Sequence, residues 1–210
     1  MKSKIKGIKI EAIRIRETNK DWVIAHGIFW VEGEDGLRNL CILLSHLSCL
    51  KDSKCIYFSK ISIKNSNVDI NNLEIISETT IKTFCQLFHS GLFRYLTHLE
   101  INNFILYEAN FFLIIAILQN NPILEVLDIS RIELVSFATC TQDDEFICKV
   151  KDRRKTNEKA FRISTESQNA IWAYLKDNTS LRKFIDGNGE ESFRTEEDNE
   201  RQLIMTYHSI

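Results

Sequence analysis

The stretch Leu96-Thr-His-Leu99-Glu-Ile101-Asn-Asn-Phe104-Ile-Leu106 decides the fold, because its apolar spacing returns in Leu124-Glu-Val-Leu127-Asp-Ile129-Ser-Arg-Ile132-Glu-Leu134. Both have apolar residues at positions 1, 4, 6, 9 and 11. A third copy, Phe58-Ser-Lys-Ile61-Ser-Ile63-Lys-Asn-Ser66-Asn-Val68, keeps positions 1, 4, 6 and 11, and a degraded copy begins at Leu181 and Phe184. We predict one short strand per copy, with positions 4 and 6 inside a shared core.

Apolar residues at helical spacing precede each predicted strand, so the chain is expected to return from one strand to the next through a helix. The four sets are Leu37, Leu40, Cys41, Leu44 and Leu47; Ile81, Phe84, Cys85 and Phe88; Phe112, Leu113, Ala116 and Ile117; and Ile171 with Leu175.

Two junctions between a predicted helix and its following strand nearly match. They are Leu118-Gln-Asn-Asn121-Pro-Ile-Leu124 and Leu175-Lys-Asp-Asn178-Thr-Ser-Leu181. Asparagine suits a helix end because it tolerates the left-handed conformation. The middle two copies are 28 residues apart and the outer steps are 38 and 57 residues, which indicates insertions.

This pattern resembles the leucine-rich repeat family, in its ribonuclease-inhibitor-like subtype, over about residues 37–189; the junctions resemble those of tropomodulin-type and bacterial-effector repeats. The resemblance implies an α/β fold, a short solenoid of helix–strand repeats, and a role in binding another protein. The family's Asn or Cys at position 9 is here Ser66, Phe104 or Ile132, so the turns should be held together by means other than an asparagine ladder. An ordinary α/β domain is the alternative fold.

The N-terminal residues 1–36 are predicted to form a β-hairpin that caps the first repeat, because residues 4–16 and 22–32 alternate around a polar turn. Residues 139–163 are predicted to be an inserted hairpin. Its basic tip could bind an anionic partner or a phosphoinositide head group, or could be a solvated loop. The tip residues are Lys151, Arg153, Arg154 and Lys155.

The C-terminal residues 190–210 are predicted to be an acidic helix or tail, in which Thr195 caps a helix with acids in its first turn. The same glutamate-rich segment resembles the C-terminal signal of type IV secreted bacterial effectors. That resemblance implies virulence, a host protein as the partner, and secretion into the host cytosol, as against a plain cytoplasmic location.

Composition excludes several functional classes. A net charge of −2 with 27 % charged and 44 % apolar residues is typical of a soluble globular protein, and it disfavours nucleic-acid binding. No apolar stretch reaches the roughly 20 residues of a membrane span. The six cysteines are expected to be reduced, although disulfides are the alternative.

No enzymatic motif stands out. Cys41, His46, Cys49 and Cys55 lack the tight spacing of structural zinc sites, and no glycine-rich phosphate loop is present. We therefore expect no metal, no cofactor and no catalysis. A thiol-dependent enzyme, a cysteine hydrolase or transferase on an irregular α/β fold, is the alternative function.

In leucine-rich repeats, the strand residues between the buried ones line the concave, partner-binding face. Glu100 and Asp128 would be neighbouring like charges there, an unfavourable choice that binding could explain, while a solvated strand face is the alternative. The predicted partner-binding residues are Lys60, Ser62, Lys64, His98, Glu100, Asn102, Val126, Asp128 and Ser130.

Overall fold

The computed structural model describes residues 6–18, 22–48, 55–66, 74–118, 121–135, 169, 171, 173–174, 180–185, 191–194 and 203–205. Its helices are α1 (Gly33–Ser48), α2 (Glu78–His89) and α3 (Glu108–Leu118). Its strands are β1 (Ile8–Thr18), β2 (Trp22–Val31), β3 (Cys55–Asn65), β4 (Ile75–Ile76), β5 (His98–Asn102), β6 (Ile105–Tyr107), β7 (Val126–Asp128), β8 (Glu133–Val135), β9 (Lys183–Ile185), β10 (Glu191–Arg194) and β11 (Leu203–Met205).

The strands form two sheets. The larger has the order β1-β2-β3-β5-β7-β9-β10-β11, and the smaller has the order β4-β6-β8. In the larger sheet β2, β3, β5, β7 and β9 pair in parallel, while β1, β10 and β11 join antiparallel at the two ends. The smaller sheet is parallel throughout. The α/β class predicted from the sequence is confirmed, with a mixed and mostly parallel sheet.

The parallel strands place the predicted inward residues in one row. Ile61 pairs with Leu99, Leu99 with Leu127 and Leu127 with Phe184, and each of these side chains is at most 4 % exposed. A large-sheet strand followed by a short strand and a helix occurs twice in succession, as β3-β4-α2 and as β5-β6-α3. The spacing of the sequence copies therefore corresponds to a spacing of strands in space.

The helices bury the apolar stripes that predicted them. In α1 the side chains of Leu37, Leu40, Cys41 and Leu44 lie in the core, one or two to each turn. Helix α2 begins after Ser77, whose hydroxyl accepts a hydrogen bond from the Thr80 amide, as an N-cap does. Helix α3 is apolar on most sides, and it packs against α2 and against β6 and β8 of the smaller sheet.

Asparagine side chains connect neighbouring units of the chain, although not at position 9. Asn103, at position 8 of its copy, donates from Nδ2 to the Asn65 carbonyl oxygen at 2.9 Å. Asn121 donates from Nδ2 to the Leu96 carbonyl oxygen at 3.2 Å and accepts from the Ile123 amide at 3.1 Å. Buried polar backbone groups need such partners, so these amides secure the turns.

The reason given for Asn121 from the sequence is wrong. Among the described residues other than glycine, only Asn103 and Arg131 have positive φ angles, of 67° and 58°. Asn121 is 91 % buried and is needed at the helix end for its hydrogen bonds, not for a left-handed backbone. Sequence spacing located the residue but could not distinguish these two uses of an asparagine.

The N-terminal hairpin belongs to the large sheet itself. Strand β1 pairs antiparallel with β2, as predicted, and β2 pairs in parallel with β3 along most of its length. Gly27 makes this packing possible, since a Cβ there would lie 2.4 Å from the ring of Phe29 and 2.9 Å from that of Phe58. Those two rings meet edge to face with centroids 6.1 Å apart. The hairpin occupies one edge of the sheet, and its role as a cap stays a prediction.

The C-terminal segment differs from its prediction. Leu203–Met205 is a strand paired with Glu191–Arg194, where the sequence predicted a helix or a tail. A short apolar run cannot be assigned to helix or strand by periodicity alone, and here pairing with an existing sheet edge decided it. Thr195 and the acids that follow it lie outside the described residues, as do the 139–163 insertion and its basic tip.

A partly buried cluster around Glu34 joins the start of α1 to the start of α2. The carboxylate accepts hydrogen bonds from the Ser77 hydroxyl at 2.6 Å, the Ser77 amide at 3.0 Å and the Thr80 hydroxyl at 2.9 Å, and it pairs with Arg38 at 2.6 Å. Burial by itself would raise the pKa of Glu34, but the hydrogen bonds from Ser77, Thr80 and Arg38 outweigh it and lower the pKa below its ordinary value.

Replacing this carboxylate should destabilise the fold. We expect Glu34→Gln to lower the free energy of unfolding at pH 7 by about 1–3 kcal/mol, because charge-assisted bonds to three groups are weakened. The pKa is lower in the folded state, so the ionised carboxylate stabilises above the unfolded-state pKa and this contribution is lost as pH falls through the folded-state pKa. The difference between wild type and variant, measured by urea unfolding, should therefore shrink below about pH 4.5.

Glu78→Gln is the matched control. Glu78 is also an acid in the first turn of a helix, but its side chain is 56 % exposed, and its one ion pair among the described residues is with Lys82. Its replacement should change the free energy of unfolding by less than about 0.5 kcal/mol. Equal effects of the two substitutions would contradict the assignment of the Glu34 cluster.

Candidate functional site

The large sheet has one face in the core and one face turned away from it. We call the second the open face and define it by three rows of side chains that lie between the buried ones. The first row is Arg14, His26, Lys60, His98, Val126 and Lys183; the second is Ala12, Ile28, Ser62, Glu100, Asp128 and Ile185; the third is Lys9, Trp30, Lys64 and Asn102.

Eight of the nine partner-binding residues predicted from the sequence lie within these rows, and Ser130 lies two residues after the end of β7. Neighbouring strands of a sheet lie about 4.8 Å apart, so the rows form a continuous surface. The other four predicted residues, at the tip of the insertion, lie outside the described residues. Binding by the open face stays a prediction at this stage.

The acids of the second row are already compensated. Glu100 pairs with Lys64 at 2.9 Å and accepts a hydrogen bond from Nδ2 of the Asn102 side chain at 2.6 Å. Asp128 accepts from the Ser130 amide at 2.9 Å and from the Ser130 hydroxyl. Lys64 also lies over the ring of Trp30, with Nζ 5.8 Å from its centroid. These contacts within the chain relieve much of the like-charge repulsion that the sequence suggested.

The first row differs from the second in its charge. Five of its six residues are basic, and within the described part of the chain neither Arg14 nor Lys60 forms an ion pair with a carboxylate. Arg16 adds a further positive charge, donating from Nε to His26 Nδ1 at 3.0 Å. We call Arg14, His26, Lys60, His98 and Lys183 the basic row.

Both histidines of the basic row respond to this environment. Burial, followed by the positive charges of Arg16, Lys60, His98 and Arg14, lowers the pKa of His26 below its ordinary value. Burial and Lys60 likewise lower the pKa of His98, against the opposing effect of Glu125. A histidine that accepts a hydrogen bond from an arginine must be neutral at the accepting nitrogen, so at neutral pH His26 is an uncharged member of a positive row.

Two oxygens on the open face are buried and have no hydrogen-bond partner among the described residues, namely Ser62 Oγ and Asn102 Oδ1. The side chain of Ser62 lies in the middle of the second row and the residue is only 7 % exposed. Buried polar groups are nearly always paired, so an orphan hydroxyl calls for an explanation. A partner lying on the open face would supply one if the Ser62 side chain turned outward, since Oγ is inaccessible in the free chain.

Removing this hydroxyl should separate stability from binding. We expect Ser62→Ala to leave the free energy of unfolding unchanged or to raise it by up to about 1 kcal/mol, because an unpaired buried hydroxyl is lost. The same variant should bind its partner less tightly. Urea unfolding provides the first measurement, and a loss of stability above about 1 kcal/mol would mean that the hydroxyl is already paired within the chain.

The sequence analysis did not find the part of the site on β1 and β2. Arg14, His26, Ile28 and Trp30 belong to the same rows as the predicted residues, but the hairpin was assigned to a separate cap. The alternation of His26, Ile28 and Trp30 was a usable signal. The alternation alone does not show which residues of β3 these three residues lie beside, and only the parallel pairing of β2 with β3 provides that register.

The cysteines bear on the alternative of a thiol enzyme. Cys41 and Cys85 are free and buried, and burial raises the pKa of Cys41 to about 12 and that of Cys85 to about 11. Thiols react as thiolates, so these two are poorly suited to act as nucleophiles. Cys55 is free and exposed. Among the described residues, no group of three or more His, Cys, Asp or Glu side chains is arranged to hold a metal ion.

Alkylation should reveal this order of reactivity. In the native protein at neutral pH we expect iodoacetamide to modify Cys55 and to leave Cys41 and Cys85 unmodified until the protein unfolds, because both thiols are buried and protonated. Peptide mass spectrometry resolves the three sites. Rapid modification of Cys41 or Cys85, at a rate above that of Cys55, would contradict this and revive the thiol-enzyme alternative.

No protein-family model matches this chain, and none of the curated proteins is significantly similar to it. The helices in the described residues are all too short, or too polar, to cross a bilayer.

Proposed function

We propose that this chain is a protein-interaction module built as a short leucine-rich-repeat solenoid, and that its open face binds the partner protein. The observation that carries the proposal is the alignment of outward side chains in rows across the five parallel strands, β2, β3, β5, β7 and β9. A surface of this kind suits recognition, because rigid strands hold many side chains in place at little entropic cost.

Three further features support a repeat architecture. The succession of large-sheet strand, short strand and helix recurs, equivalent apolar positions share one core, and asparagine amides connect neighbouring units. In solenoids each unit contacts its neighbours and buries its apolar face against them. The long separation in sequence between the copy that begins at Leu124 and the copy that begins at Leu181 fits an insertion between two repeats, as the sequence suggested.

The open face also has the composition of a binding surface. Trp30, Ile28 and Ile185 are partly buried apolar residues next to charged ones, and the Ser62 hydroxyl has no hydrogen-bond partner in the part of the chain that the structure describes. Aromatic and basic residues are enriched in interfaces between proteins, and tryptophan and arginine are common among the residues that dominate affinity.

Charge reversal on the open face tests the proposal. We expect Glu100→Lys combined with Asp128→Lys to abolish partner capture, because the change breaks the Lys64–Glu100 pair and sets two long side chains against the apolar contacts that Ile28 and Ile185 offer in the same row. Tagged wild-type and variant proteins would be used to capture partners from a lysate, with quantitative mass spectrometry as the measurement. Circular dichroism checks that the variant is folded.

The matched control is Asp35→Lys combined with Glu78→Lys. It makes the same change of net charge on exposed positions of α1 and α2, away from the open face. The proposal predicts proteins that are captured by wild type and by this control and lost from the open-face variant. If all three proteins capture the same set, the open face is not the binding surface.

The effector part of the proposal rests on the acidic C-terminal segment in the sequence. If the chain acts inside a host, the partner that depends on the open face should come from a lysate of eukaryotic cells and be missing from a bacterial lysate. A partner found only in the bacterial lysate would contradict the effector hypothesis while leaving the interaction module intact.

A further inference from the structure

We propose that the basic row is the recognition site for an acidic α-helix of the partner protein, which lies across the parallel strands with a stripe of carboxylates against Arg14, His26, Lys60, His98 and Lys183. Because it assigns a partner class to the open face, this inference rests on the proposed function. The chain as a whole has a net charge of −2, so a row with five basic residues on it is a local feature and not a general surplus.

The spacing of the row matches a helix. Strands that are about 4.8 Å apart place the row's six positions over roughly 24 Å. In a helix, carboxylates placed alternately three and four residues apart lie on one side and are separated along the helix axis by about 5.3 Å on average, since each residue rises 1.5 Å. This separation is close to the spacing between strands. In an extended peptide, side chains on the same side are two residues or about 6.7 Å apart, so they would no longer lie opposite the basic residues after two or three strands. Long lysine and arginine side chains absorb the smaller mismatch of the helix.

The neighbouring rows favour a protein over a polyphosphate chain. Glu100 and Asp128 lie two residues along their strands from His98 and Val126, so a continuous phosphate backbone would meet two acids beside the cations. Ile28 and Ile185 in that same row offer apolar contacts instead. An amphipathic helix would place its acidic stripe against the basic row and an adjacent apolar stripe against Ile28 and Ile185. A polar group at the boundary between the two stripes would pair with Ser62 Oγ after that side chain turns outward.

The histidines would make this recognition dependent on pH. The groups facing His26 are Arg14 and Arg16 from β1, Lys60 from β3 and His98 from β5, all basic; His98 is faced by Lys60 and, from the other side, by Glu125. A bound carboxylate stripe favours the protonated imidazoles, so binding takes up protons. Affinity should therefore rise as pH falls from about 7.5 to about 6.0, where glutamates of the ligand stay ionised.

The test uses the full chain and three fluorescent probes in anisotropy titrations at low salt. The first probe is a helical peptide of about five turns with glutamates in one stripe at steps of three and four residues and leucines in the adjacent stripe. The second has the same composition with the glutamates distributed around the helix. The third is a single-stranded oligothymidylate, which presents phosphates instead of carboxylates.

Two sets of variants locate the site. Lys60→Glu lies in the middle of the row, and Arg14→Glu lies on an exposed position of the edge strand where it disturbs no packing. His26→Gln with His98→Gln removes titration while Gln can still accept the hydrogen bond from Arg16. Lys82→Glu on α2, 60 % exposed and away from the open face, is the control for a change of charge.

We expect the striped helix to bind wild type at least about tenfold more tightly than the scrambled helix, and Lys60→Glu or Arg14→Glu to weaken it at least about tenfold, with Lys82→Glu unchanged. Wild-type affinity should rise at least about fivefold between the two pH values, and that of the double histidine variant less than about twofold. Equal binding of both peptides, or indifference to Lys60→Glu, overturns the proposal. Tighter binding of the oligothymidylate overturns it in favour of nucleic acid.

These failures are distinguishable from a failure of the proposed function. If the lysate partner depends on the open face but no acidic helix binds there, the interaction module stands and its partner class is wrong. If neither the lysate partner nor the peptide depends on the open face, both are wrong.

Discussion

Parallel register between β2, β3, β5, β7 and β9 is the constraint on which the rest of the structure depends. Because side chains alternate along a strand, one register places Ile61, Leu99 and Leu127 in a common buried row and at the same time places Lys60 and His98 in a common outward row. A slip of one residue would move every apolar side chain to the wrong face. The core therefore determines the arrangement of the open face, although the residues of that face contribute little to the core.

Polar contacts secure the register where the core cannot. The backbone amide of Thr97 donates to the Ser59 carbonyl, and the Asn103 and Asn121 side chains reach carbonyl groups of neighbouring units. Each bond contributes about 1 kcal/mol on balance, but a buried carbonyl left without a partner is more costly than that. The amides thus act against alternative registers more than they add to stability, and they do so without the asparagine at position 9 that the resemblance implied.

The charges of the open face are distributed unequally. Glu100, Lys64 and Asn102 form a closed group, so the acids that stood out in the sequence are largely satisfied within the chain. The basic residues converge instead, from β1, β2 and β3, around His26 and Lys60, and their positive charges add to burial in lowering the pKa of His26. Such unrelieved repulsion is unfavourable in the free protein and would be relieved by an anionic partner.

The sequence by itself determined the strands and helices of the middle of the chain, because periods of two and of 3.6 residues are local properties that Ile61 with Ile63 or Leu37 with Leu40 express directly. The sequence also identified Asn121 as a residue that matters at a helix end, but it did not give the physical reason, which is hydrogen bonding by the side chain. Only the tertiary structure decided that β2 continues the parallel set and that Leu203–Met205 is a strand. Strand partners and registers are chosen by contacts between residues far apart in the chain, which no local pattern records.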